Sequence, residues 1–110
     1  MNVFDALAEP TRREIVELLA ARGQLNASQI HQQFPATPSA ISQHLKVLRE
    51  AKLVTVRKQA QRRLYQLDLA GMVAVEQWAR HTRQQWSQRF DALEVLLERK
   101  QRKSKGGKHG

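Results

Sequence analysis

Between Leu25 and Val54 the chain starts a helix twice in quick succession, and this doublet constrains the fold more than any other feature. In LNASQI, Asn26 is placed to cap a helix, Gln29 stands at the capping-box position, and Leu25 faces Ile30 as a hydrophobic staple. Ile30 and Phe34 are expected to point inward, and FPATP stops this helix at Pro35. Thr37-Pro38 then opens the next one, with Thr37 as cap and Pro38 in the first helical position, where a missing N–H costs nothing. Two short helices joined by a turn of three or four residues form a helix-turn-helix.

The second of these helices is two-sided. Ile41, Leu45 and Leu48 recur at i, i+4 and i+7, which is one face. Ser39, Ser42, Gln43, Lys46 and Arg49 occupy the other, and no acid appears before Glu50. The apolar face holds the helix on its domain; the polar face suits the edge of a polyanion. A DNA major groove is about 12 Å wide and admits one helix. Thr37, Ser39, Ser42, Gln43, His44 and Lys46 are therefore the candidate DNA contacts. Gln43 suits adenine, and His44 a guanine acceptor or a phosphate.

The flanking segments complete a pattern. FDALAEPTRREIVELLAARG contains a helix with the stripe Ile15, Leu18 and Leu19, Pro10 in its first turn and Gly23 as its stop, after a short helical turn from Val3 to Leu7. LVTVRK and RLYQL read as a β-hairpin, with Val54, Val56, Tyr65 and Leu67 alternating. No Asn-Gly pair lies between them, so a loop longer than two residues is expected. Arg57, Lys58, Arg62 and Arg63 make its tip basic, which suits phosphates or a narrow minor groove. Asp68 then looks like the cap of a long helix, with Leu67 and Met72 as its staple.

Along that helix Met72, Val75, Ala79, Thr82, Trp86, Phe90, Leu93 and Leu97 form one seam. From Leu69 to Arg99 it would run about 46 Å at ~1.5 Å per residue, longer than a small domain is wide. Part of it is expected to pack elsewhere. The order helix, helix-turn-helix, hairpin, helix is that of a winged helix-turn-helix: mainly α with a small β-hairpin. Residues 1–98 are expected to form this domain, and RKQRKSKGGKHG, from residue 99 to 110, a basic disordered tail.

Charge bears on the partner. The net charge is +9. Residues 1–50 hold five basic side chains against five acids, so the whole excess lies in residues 51–110. Such a balance points to nucleic acid or an acidic membrane surface. No apolar run approaches the ~18 residues of a membrane span, and MNVFDALAEP carries acids where a signal peptide would be basic. A cytoplasmic placement is the simplest. With no cysteine, disulfides, thiolate metal sites and thiol catalysis are excluded together. No glycine-rich phosphate loop, paired carboxylates or Ser/His/Asp set suggests an enzyme, so neither catalytic residues nor a cofactor are expected. Two other classes compete with a sequence-specific regulator: a winged-helix protein-interaction module, and a sequence-blind basic nucleic-acid-binding protein.

FDALAEPTRREIVELLA and SAISQHLKVLREAKLVTVRKQAQRRLYQL together resemble the ArsR/SmtB family of bacterial winged-helix repressors, over about residues 2–98. The most specific pieces are Leu7-Ala8-Glu9-Pro10-Thr11-Arg12 and Ser42-Gln43-His44-Leu45-Lys46-Val47-Leu48, followed by Leu53-Val54. The resemblance implies a homodimer paired through its first and last helices, here Phe4, Leu7, Val75, Ala79, Thr82, Trp86, Phe90 and Leu93. It implies binding to a double-stranded DNA operator until an inducer, often a metal ion, releases it. Ser39, Ser42, Gln43 and His44 become the base or phosphate readers, and Arg62 and Arg63 the wing contacts. The family's Cys-x-Cys metal pair is absent from Ala27-Ser28-Gln29-Ile30-His31, and at the second metal site Asp68, Ala70, His81 and Gln84 keep two ligands of four. No metal is expected, and no inducer follows. Trp78, Trp86 and Phe90 are interface core before they are a ligand pocket.

Overall fold

The computed structural model describes residues 2–106 and runs α1 (Val3–Ala8), α2 (Pro10–Arg22), β1 (Leu25–Asn26), α3 (Ala27–His31), α4 (Pro38–Glu50), β2 (Val54–Gln59), β3 (Arg62–Leu67) and α5 (Leu69–Gly106). The chain divides into two compact units, one up to Val75 and one from Glu76 onward. Beyond Val75 the described residues lie on one helix, where neighbours are mainly those three and four positions away. The helix also passes residue 98: positions 99–106, expected as part of the tail, are helical. Arg, Lys and Gln are strong helix formers, and cations suit a helix C-terminus. The rest of the expected tail, 107–110, lies outside the described residues.

In the first unit the capping signals hold. The Asn26 side chain accepts from the Gln29 N–H at 2.8 Å while Gln29 Oε1 accepts from the Asn26 N–H at 2.9 Å. Thr37 Oγ1 accepts from Ala40 at 3.1 Å, and Gly23, at φ 87°, ends α2. Asp68 Oδ1 caps α5 through the Ala70 N–H at 3.0 Å. On α2 the stripe shifts, burying Ile15, Val16 and Leu19 and leaving Leu18 partly covered. Helix α3 ends at His31, so residues 32–37 link it to α4, more than the three or four expected. Pro35 has no N–H for the His31 carbonyl, and its ring would clash there. Instead the chain tightens, the Gln33 and Phe34 N–H groups donating to Ile30 and His31.

The hairpin departs from expectation in its turn. Gln59 pairs with Arg62, leaving only Ala60 and Gln61 between the strands. Ala60 takes φ 56° and Gln61 no positive φ, the pattern of a type II′ turn with alanine in the position glycine favours. A third strand joins the sheet, in the order β1-β3-β2, with Leu25 opposite Tyr65.

The exit from α4 is a Schellman motif: the Leu53 N–H donates to the Leu48 carbonyl and the Lys52 N–H to the Arg49 carbonyl, both at 3.0 Å. Leu48 and Leu53, the hydrophobic pair of that motif, are both fully buried. Lys52 holds the left-handed position at φ 62°, where glycine is usual. Lys52→Gly should stabilise the fold by about 0.5–1 kcal/mol, because it relieves the Cβ penalty of that conformation. Urea denaturation checks this; a loss of stability would mean that the lysine side chain contributes more than its backbone strain costs.

Candidate nucleic-acid interface

Helix α4 is held by one face and open on the other. Ile41, Leu45 and Leu48 are at most 1 % exposed, and Val47 joins them at 8 %. Ser39, Ser42, Gln43, Lys46 and Arg49 are exposed. Its angle is set at both ends, by the Schellman exit and by the link from α3, where the His31 ring Nε2 bonds the Ala36 carbonyl at 2.7 Å. That bond to a carbonyl requires His31 Nε2 to donate. Thr37 is exposed, and its oxygen is already engaged as the cap, which leaves the hydroxyl proton as a donor.

Strand register sorts the wing residues. Lys58 lies opposite Arg63, in register with Val56 and Tyr65 two positions along. Because side chains alternate, Arg57 and Arg62 belong to the other face. The sequence presents these four as one basic tip; the structure splits them in two. Arg63 belongs with α4: with Val56 and Tyr65 it faces Ser42, Lys46 and Arg49 across an open groove of about 670 Å³. Three cations converge there against the single acid Glu50. Lys58 and Arg63 repel each other as a cross-strand pair, which an anion between them would relieve. Sequence reasoning left Arg49 out of the site; its position three residues after Lys46 was the available signal.

His44 is placed differently from its neighbours. Its Nδ1 is buried without a hydrogen-bond partner and lies 3.8 Å from Glu9 Oε2. Only 21 % of the side chain is accessible, so this contact is turned partly into the domain. Glu9 is the N-cap of α2, accepting the Arg12 N–H at 2.9 Å. The Arg12 guanidinium in turn donates to the Ala6 and Asp5 carbonyls at the end of α1. Partial burial pushes the Glu9 carboxyl pKa up. The Arg12 N–H, the charges of His44 and Arg12, and the Thr11 hydroxyl outweigh it and hold the carboxyl below its ordinary value.

The residues expected to pair differ in exposure. Leu7 packs partly against the core, Val75 is half-buried, and Phe4 is exposed. Ala79, Thr82, Trp86, Phe90 and Leu93 are exposed along α5.

A helix-turn-helix domain family matches residues 7–57. The HTH-type transcriptional regulator Rv2034 of Mycobacterium tuberculosis is 47% identical over 74 residues, 67% of this chain and 68% of that protein. The transcriptional repressor SdpR of Bacillus subtilis is 36% identical over 67 residues, 61% of this chain and 73% of its own. An ArsR-like transcriptional regulator from Rhodococcus sp. RHA1, of solved structure, superposes with TM-score 0.75 at 28% identity, covering 86% of this chain and 88% of that one. The chain belongs to the ArsR family of winged helix-turn-helix transcriptional regulators. It is a DNA-binding regulator and not an enzyme. Asp68 is spent as the cap of α5, and α3 holds no thiolate. Among the described residues no three His, Cys, Asp or Glu side chains come together as a site. Nor is any described helix long and apolar enough to cross a membrane.

Proposed function

We propose that this chain is a transcriptional repressor that binds an operator as a homodimer, with α4 in the major groove and the wing on the phosphates. The observation that carries this is the two-sided burial of α4: its apolar face is sealed, while Ser39, Ser42, Gln43 and Lys46 stand open along the other. Thr37 at the helix start and Arg49 near its end extend that face. Arg63 carries the contact onto the wing through the shared groove, and Arg57, Lys58 and Arg62 supply further phosphate contacts.

Pairing is supported by the seam on α5. Trp86, Phe90, Leu93 and Leu97 are 51–67% exposed and spaced by four, three and four residues, the pattern by which helices interdigitate. In the pairing proposed, a second copy covers this seam, Phe4, Leu7, Val75, Ala79 and Thr82 also take part, and the two α4 helices meet half-sites about 10–10.5 bp apart or a multiple of that.

The test is an electrophoretic shift on the chain's own upstream DNA, repeated with competitor and across salt. Ser42→Ala and Gln43→Ala together should weaken operator binding by about 10- to 100-fold, each bidentate base contact being worth roughly 1–3 kcal/mol. Non-specific binding should stay nearly unchanged. Equal loss on both kinds of DNA would count against base readout, and binding that never distinguishes sequences would favour an architectural protein. Sedimentation of the wild-type chain as a monomer alone would remove the pairing.

A further inference from the structure

The contact between Glu9 and His44 ties the start of α2 to the middle of the exposed helix, and it has a consequence for the ring's protons. At 3.8 Å it is too long for a hydrogen bond, yet His44 Nδ1 is buried, makes no hydrogen bond, and has the Glu9 carboxylate as its ion-pair neighbour. A bare Nδ1 would point its lone pair at a carboxylate oxygen, a repulsion that burial strengthens. A proton on Nδ1 turns the same contact into an attraction. Neutral imidazole carries one ring proton, and the environment of one nitrogen decides what the other presents.

The other groups at this spot do not compete for the ring. Arg12 is committed to the Ala6 and Asp5 carbonyls, its N–H bonds the Glu9 carboxylate, and the Thr11 hydroxyl helps to hold that carboxyl below its ordinary pKa. Among the described residues Glu9 is the one ion-pair partner of His44. The second ring nitrogen, Nε2, stands outside the contact.

We propose that Glu9 is a positioning residue for base recognition: it fixes the proton of His44 on Nδ1, so that Nε2 meets DNA as an acceptor while the ring is neutral and as a donor once a second proton binds. This rests on α4 being the groove-reading helix. An acceptor at Nε2 matches the exocyclic amine of cytosine or adenine; a donor matches guanine O6 or N7. The base preferred opposite His44 therefore changes with the charge of the ring.

Two measurements on the full chain test this. The first is nitrogen-15 NMR of labelled histidine without DNA, followed across pH so that the spectra themselves show where the His44 ring is neutral. Wild type should show the Nδ1–H form of His44. Glu9→Ser keeps an N-cap acceptor for α2 but withdraws the carboxylate, and should shift the ring towards Nε2–H. A wild-type His44 dominated by Nε2–H overturns the proposal, and that result needs no variant to fold. The second uses the tightest duplex selected from a randomised pool, with single base pairs varied, at one pH where those spectra show the ring neutral and one where they show both nitrogens protonated. At one base pair the wild-type preference for guanine over cytosine should change by about 3- to 10-fold between the two pH values, the worth of one hydrogen bond. Glu9→Ser should lose that change. A wild-type preference that never moves with pH overturns the proposal. Nδ1–H without any sequence-specific binding would instead overturn the groove reading on which this role depends, while Nε2–H with intact specificity overturns the role of Glu9 alone.

Discussion

Leu48→Ala should destabilise the first unit by about 2–5 kcal/mol, the range for emptying a sealed core position. The upper half of that range is expected. Leu48 is fully buried, and its main-chain carbonyl accepts from Leu53, whose own side chain is fully buried beside it. Truncation removes the apolar partner of the Schellman exit, so the cavity opens where the chain turns from α4 into β2. A domain of this size holds only about 5–15 kcal/mol in total. The variant should therefore unfold at markedly lower urea and lose DNA binding through loss of the fold. Denaturation with an unchanged slope and a midpoint close to wild type would show that the exit of α4 does not depend on this contact.

Gly71→Ala should destabilise by about 2–3 kcal/mol, the cost of forcing atoms into a packed site. Helix propensity alone argues the reverse, since alanine in a helix interior is worth about 1 kcal/mol over glycine. Gly71 lies in the first turn of α5, and a Cβ there would fall closer than 3.0 Å to the Lys52 carbonyl oxygen. That oxygen cannot swing away as a side chain would. Lys52 is held in its left-handed conformation by its N–H to Arg49, and the next residue, Leu53, accepts from the Asp68 N–H at 2.8 Å. The start of α5, the exit of α4 and the base of the wing thus meet at one backbone contact. A thermal melt showing Gly71→Ala more stable than wild type would mean that the contact relaxes at no cost.

Much of the site was legible because its signals are local. Asn26 with Gln29, Thr37 with Pro38, and Asp68 before the long helix each satisfy orphan N–H groups within a few residues, so the sequence alone places them. The apolar and polar faces of α4 follow from a repeat that any helix must obey. The features that depart from expectation depend on strand pairing rather than on local signals. Asn-Gly was absent, yet the hairpin turns on Ala60-Gln61, because the pairing of β2 with β3 holds Ala60 in a backbone conformation its own preference opposes. The two-residue strand β1 has no periodicity to detect and exists through its pairing with Tyr65 and Leu64.

By itself the sequence determined the order of the helices and the hairpin, the caps, the face of α4 that stays polar, and the resemblance to ArsR-family regulators, all carried by neighbours in the chain. The tertiary structure alone decided three things: that Arg63 joins Lys46 and Arg49 across a groove, that Arg62 belongs to the opposite face, and that His44 turns one ring nitrogen towards Glu9. The physical reason is the same for each. Strand register and helix docking are set by which apolar surfaces seal together, and a polar side chain is carried wherever that packing sends it.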